Sequence, residues 1–225
     1  MKKILMLWTA LTVMTVADAQ SLKSSGRSAQ EIVPQGWEIN EATGDINKDG
    51  ITDLMVIATP NFRENIQVRE SDGYEYNYNQ PVLAVYWGTA DGQYKLYKQY
   101  AEIIPHQTDE FVFWDVSLSI SEKGVITIGT STFASAGSWS NNSDTFVFRW
   151  QQGDFYLIGY ETQSMARNTG EDETISYNFL THKKQVVTSN AFDENIPKRE
   201  KWTKIPAKPL KRLGSFHLEE YSFEE

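Results

Sequence analysis

Asp45, Asn47, Asp49 and Asp53 put oxygen-bearing side chains at positions 1, 3, 5 and 9 of one short stretch, with Gly50 at position 6. That spacing suits Ca²⁺, which takes six to eight hard oxygen ligands from a tightly curved chain. Gly50 supplies the positive φ that the sharp turn needs. The carbonyl of Ile51, at position 7, is the expected backbone ligand. Asp45, Asp49 and Asp53 bring three carboxylates and Asn47 a neutral amide, enough charge for a divalent cation. The same residues can also wind an Asx-turn loop that holds no metal.

The residues just after the loop decide its type. An EF-hand needs a bidentate Glu at position 12 and a helix after it. Here position 12 is Val56, which also argues against a dockerin-like loop. Val56 lies in the run Leu54-Met55-Val56-Ile57, bounded by Thr59-Pro60, which reads as a short buried strand. A calcium loop that feeds a strand resembles the FG-GAP or VCBS-type repeat of integrin-like β-propellers. The segment from Gly44 to Val56 carries the first half of that repeat. Val85-Tyr86-Trp87-Gly88-Thr89-Ala90-Asp91-Gly92-Gln93-Tyr94 carries the second, a strand followed by a Gly-x-x-Asp-Gly turn and an aromatic. The resemblance covers about residues 36 to 98, in a single copy, and implies a propeller-like blade.

The chain that must position this loop begins with an export signal. Met1-Lys2-Lys3 is basic, Ile4 to Val16 is apolar apart from threonines, and Ala17-Asp18-Ala19 is a small-x-small cleavage pattern. Residues 1–19 therefore read as a signal peptide cut before Gln20. There is no cysteine, which removes disulfides, thiol nucleophiles and a lipidation site. Export without disulfides fits a bacterial periplasmic or secreted protein better than a small eukaryotic one. No other segment is long enough to cross a bilayer, so an integral membrane protein is not expected. The net charge of −9 argues against nucleic acid as a partner, since phosphate backbones call for clustered Lys and Arg.

About 206 residues remain after cleavage of the 225. Residues 20–31 are polar and aperiodic and read as a disordered leader. Residues 32–189 read as a β domain of about ten strands in successive hairpins, an all-β antiparallel meander. Pairs flank Asp91-Gly92, Glu122-Lys123-Gly124, Gln152-Gly153-Asp154 and His182-Lys183. Residues 190–225 read as an irregular tail anchored by Trp202, Leu210, Leu213 and Phe216. At 40–60 residues for each blade, four or so blades fit. With one calcium loop, the expectation is a partial propeller, or a curved sheet pair closed by the tail, rather than a full ring.

Other constellations are weaker. Pro60 to Gln80 carries Tyr74, Tyr76 and Tyr78 at alternate positions, as an extended hairpin arm or as an aromatic ligand platform. Trp139, in a small polar loop, can stack on a sugar or seat a peptide side chain, or fold back to cap the core. No nucleophile elbow, zinc-protease motif or phosphate loop is present. His106, His182 and His217 are far apart and read as loop or turn residues rather than catalytic bases. The expected function is an exported, non-enzymatic calcium-binding module for a protein or glycan ligand. The alternative is a secreted hydrolase whose carboxylates, such as Asp115 and a distant Glu, meet only in the fold.

Overall fold

The computed structural model describes residues 21–223. The expected signal peptide lies outside them, as do Glu224 and Glu225. The described chain is all-β and antiparallel, arranged as two packed sheets and a small hairpin. No helix in it is long and apolar enough to cross a membrane.

The first sheet grows around the strand that leaves the Asx-rich loop of residues 45–52. Strand β2 (Glu38–Gly44) enters the loop and β3 (Asp53–Thr59) leaves it, paired from Gly44↔Asp53 to Glu38↔Thr59. Strands β6 (Val82–Gly88) and β7 (Tyr94–Tyr100) complete a four-strand antiparallel meander in chain order. Strand β1 (Ser25–Gly26) adds to the outer edge of β7. Both faces of β3 and β6 are covered, which is why Leu54 to Ile57 reads as an unbroken apolar run. Met55, Ile57, Leu83 and Val85 face the second sheet. Leu54, Val56, Ala58, Ala84 and Tyr86 face the N-terminal segment.

That segment corrects the expectation of a disordered leader. The short helix α1 (Ala29–Ile32) is capped by Ser28, whose Oγ accepts the Glu31 N–H at 3.2 Å. Leu22, Ala29, Ile32 and Val33 are buried against the sheet, and the Tyr86 hydroxyl donates to the Lys23 carbonyl at 2.9 Å. One helical turn is too short to show periodicity, so its apolar residues are visible only through what they cover.

The second sheet is a seven-strand meander in chain order, curled into a half-barrel. It runs β8 (Val112–Ile120), β9 (Val125–Ala134), β10 (Ser140–Gln151), β11 (Asp154–Ala166), β12 (Glu171–Asn178), β13 (Lys183–Asn190) and β14 (Arg199–Lys204). Period-2 alternation sends Ile126, Ile128, Phe146, Phe148 and Leu157 into the core shared with the first sheet. The four hairpins stand where the turn residues put them. Among the described residues fourteen strands replace the expected ten, because β1, β14 and the two short strands between Pro60 and Gln80 carry no clear alternation of their own. Of these, β4 (Ile66–Val68) and β5 (Glu75–Asn77) form the arm expected between Pro60 and Gln80.

The tail is partly regular. Edge strand β14 lies within it, and Trp202 is 57 % exposed there, so it is not an anchor. Leu213 is buried, and Phe216 packs against the same core, as expected; Ile205 and Leu218 are buried too. The tail is stitched to β11 through Leu157 N–H to the Lys211 carbonyl and Leu213 N–H to the Phe155 carbonyl, both 2.9 Å.

Candidate metal centre

Residues 45–52 connect β2 to β3, and side chain-to-backbone hydrogen bonds wind them tightly. Asp45 Oδ2 accepts the Gly50 N–H at 3.2 Å. Asn47 Oδ1 accepts from Asp49 at 3.0 Å, and Asp49 Oδ1 from Ile51 at 2.8 Å. Short Asx side chains bond their own backbone two residues on, which is why these types alternate here. Asn47 Nδ2 also donates to Asp49 Oδ2 at 3.0 Å. Lys48 and Gly50 hold the curve at φ of 66° and 85°.

The first carboxylate is only half used. Asp45 Oδ1 is buried and has no hydrogen-bond partner. A buried carboxylate oxygen left unpaired costs free energy unless a cation or donor meets it. This orphan atom is the observation against which a metal can be tested, and a hard cation fits it.

Asp53 plays a different part. It is fully buried, and Oδ2 accepts the N–H groups of Ile46 at 2.9 Å and Asn47 at 3.4 Å. Its Oδ1 accepts the N–H of Gly88 at 2.9 Å, tying the loop to the end of β6. Burial pushes the Asp53 carboxyl up from the ordinary carboxylate range, and the three backbone N–H groups pull against that. Oδ2 has both lone pairs engaged by backbone N–H groups, and Oδ1, which accepts one, keeps the other. Accordingly, among the described residues no three His, Cys, Asp or Glu side chains group as a metal site by themselves. Two carboxylates, an amide and a carbonyl are the donors that the loop itself offers beyond Asp53.

No family model, curated protein or solved structure matches this chain.

Close backbone approach seats the loop between the two sheets, and three glycines permit it. A Cβ on Gly88 would overlap the Thr52 carbonyl, one on Gly124 the Asp45 carbonyl, and one on Gly44 the Ile120 side chain. Gly124 sits in the β8–β9 turn of the second sheet. Lys48 Nζ reaches the same turn, donating to the Glu122 carbonyl at 3.2 Å. Ile46, within the loop, is buried in the core between the sheets. The loop thus fastens the first sheet to the second. Neither Gly88 nor Gly124 carries a sequence signal for this, because each reads as an ordinary turn glycine until its neighbour is known.

The expected aromatic ligand residues do not form one platform. Tyr76 is buried, 3 % exposed, and its hydroxyl accepts Arg69 Nη1 at 2.7 Å, so it is a core residue of the arm. Tyr74 is 46 % exposed and packs edge-on against Tyr76. Trp139 does not fold back onto the sheet: it is 73 % exposed in the β9–β10 loop. His182 occupies a turn at φ of 52°, and His217 hydrogen-bonds the Glu102 carbonyl. The fold brings His182 and His217 to the wall of one cavity, with Lys211 and Glu220 also lining it, while His106 lines another.

Proposed function

We propose that this chain is an exported calcium-binding β protein that acts as a non-enzymatic interaction module for a protein or glycan. One observation carries the metal part: the buried, unpartnered Asp45 Oδ1 in a loop already wound by Asp45, Asn47 and Asp49. Asp45, Asn47, Asp49, the Ile51 carbonyl and the remaining lone pair of Asp53 Oδ1 would hold the ion. Bound calcium supplies positive charge that offsets mutual repulsion of these carboxylates and meets the orphan oxygen. Because the loop touches both sheets, the ion acts on the joint between them and not only on one turn. Export is supported by the pattern of residues 1–19 and by the absence of cysteine. Calorimetric titration with calcium and with magnesium tests the reading. Calcium binding at about 10⁻⁴–10⁻³ M, lost in Asp49→Ala and weak for magnesium, is expected. No heat with calcium across that range would end the metal reading.

A further inference from the structure

We propose that the groove on the outer face of β8–β11 binds a neutral glycan. It encloses about 410 Å³ and lies away from the calcium-type loop. Strand register builds it. Phe113 pairs with Phe133, Phe133 with Asn141, and Asn141 with Met165, so these four side chains share a face as one row. Two residues along, Asp115, Ser131, Ser143 and Gln163 pair in the same way and form a second row. At about 3.3 Å for each residue the rows stand roughly 7 Å apart. An aromatic-led row therefore runs beside a row of hydroxyl, amide and carboxylate groups.

The aromatic row continues onto the arm. Tyr74 meets Phe113 at 6.3 Å and Phe113 meets Phe133 at 6.4 Å between ring centres. One polar atom of the lining, the acceptor Asn141 Oδ1, is buried and unpaired. The Arg167 guanidinium lies 4.9 Å from the centre of the Phe133 ring. A sugar suits the rings, the polar row and the Asn141 acceptor together. Its C–H face stacks on an aromatic ring, and its hydroxyls both donate and accept.

The chemistry excludes other occupants. Asp115 in the groove and Asp172 beside it, bonded by Gln163 Nε2 at 2.9 Å, outweigh the single Arg167 guanidinium against Phe133 and disfavour an anionic ligand, as does the net charge of −9. An apolar side chain would cover the rings but leave the polar row and Asn141 Oδ1 unmatched. A neutral polyol matches both rows.

This inference rests on the reading of the chain as an interaction module and is independent of the calcium loop. The test is calorimetry of the purified protein with neutral hexasaccharides of the cellulose, starch and chitin types, and with an acidic hexasaccharide of the pectin type. At least one neutral sugar should bind better than the acidic one. Phe133→Ala and Asn141→Ala should each weaken that binding by roughly tenfold, the effect of losing one stacking or hydrogen-bonding partner. Phe133→Tyr and Trp202→Ala should leave it within about twofold, since stacking is kept in the first and the second lies on edge strand β14, outside the groove. Melting curves of each variant separate loss of binding from loss of fold. Binding of no neutral sugar overturns the proposal, as does sugar binding insensitive to both alanine variants. Capture of an apolar peptide through Phe133, with no sugar bound, overturns it in favour of a protein partner. Sugar binding that persists in chelator supports the site even where the calcium reading fails. Absence of sugar binding beside an intact calcium response sinks the site alone.

Discussion

Asp53 Oδ1 accepts the backbone N–H of Gly88, 35 residues away, at 2.9 Å, while the other oxygen of the same carboxylate holds the start of the loop. One buried side chain thus closes the loop and clamps it to the neighbouring hairpin. Asp53→Ala leaves the Ile46 and Gly88 N–H groups without an acceptor. At about 1–3 kcal/mol for each buried unsatisfied group, the loss is roughly 2–6 kcal/mol. For a domain of this size that lowers the melting temperature by roughly 5 °C or more. A thermal melt that moves by less than about 2 °C would show that the clamp is dispensable.

Calcium should raise the melting temperature through the same loop. At about ten times the dissociation constant, linkage gives roughly 1.4 kcal/mol, or about 3–5 °C. Asp45→Ala and Asp49→Ala should each remove the calcium-dependent part. Lys48→Ala should keep the calcium response and lose a small constant amount, because Lys48 Nζ bonds the Glu122 carbonyl and is not a ligand. Identical melting of the wild type in calcium and in chelator would mean the loop is a turn and nothing more.

Substitution of three glycines separates strain from crowding. Gly50 has a φ of 85° with open space around it, so Gly50→Ala should cost only the left-handed strain, about 1–2 kcal/mol. Gly88→Ala drives a methyl group into the Thr52 carbonyl, which is backbone and cannot swing aside. Gly124→Ala does the same at the Asp45 carbonyl, at a φ of 66°. Both should cost more than Gly50→Ala, by about 1–3 kcal/mol. Denaturant melts give the order; a Gly50 variant weaker than the other two contradicts the seating of the loop.

The N-terminal segment should be needed for stability. Ile32 is fully buried against the first sheet, so Ile32→Ala should cost about 2–5 kcal/mol. Removing residues 21–32 uncovers Leu54, Val56, Ala84 and Tyr86 and should produce binding of a hydrophobic dye. An unchanged melting curve for the truncated protein rules that role out.

Alkaline pH should unfold the protein through its buried tyrosines. Burial pushes Tyr86 and Tyr221 up from 10.0 to about 12, and it raises Tyr100 and Tyr160 as well. The unfolded chain releases these protons near 10.0 and the folded one does not. Their contribution is therefore complete below pH 10 and is lost as pH rises through about 12. Tyrosinate absorbance measured against pH should show a late, cooperative step coinciding with loss of β-sheet circular dichroism. Smooth titration of all tyrosines near 10 would contradict it.

Whatever depends on near neighbours is legible in the residues alone. The Asx–Gly spacing wound the loop, period-2 alternation drew most strands, and glycine turns set the hairpins, each through contacts a few residues apart. The described strands accordingly form the expected all-β meander. The tertiary structure alone decided what those residues face. Asp53 meets Gly88 only because β3 and β6 pair, Gly124 meets the loop only because the sheets stack, and Tyr76 is buried only because the arm folds beside Phe113. Residues 21–33 gained order from the sheet they cover rather than from any pattern of their own. The two rows of the outer groove exist only in the register of four strands, where Phe113, Phe133, Asn141 and Met165 come together from positions up to 52 residues apart. Alternation along one strand fixes which residues share a face; only pairing between strands fixes which neighbours that face presents.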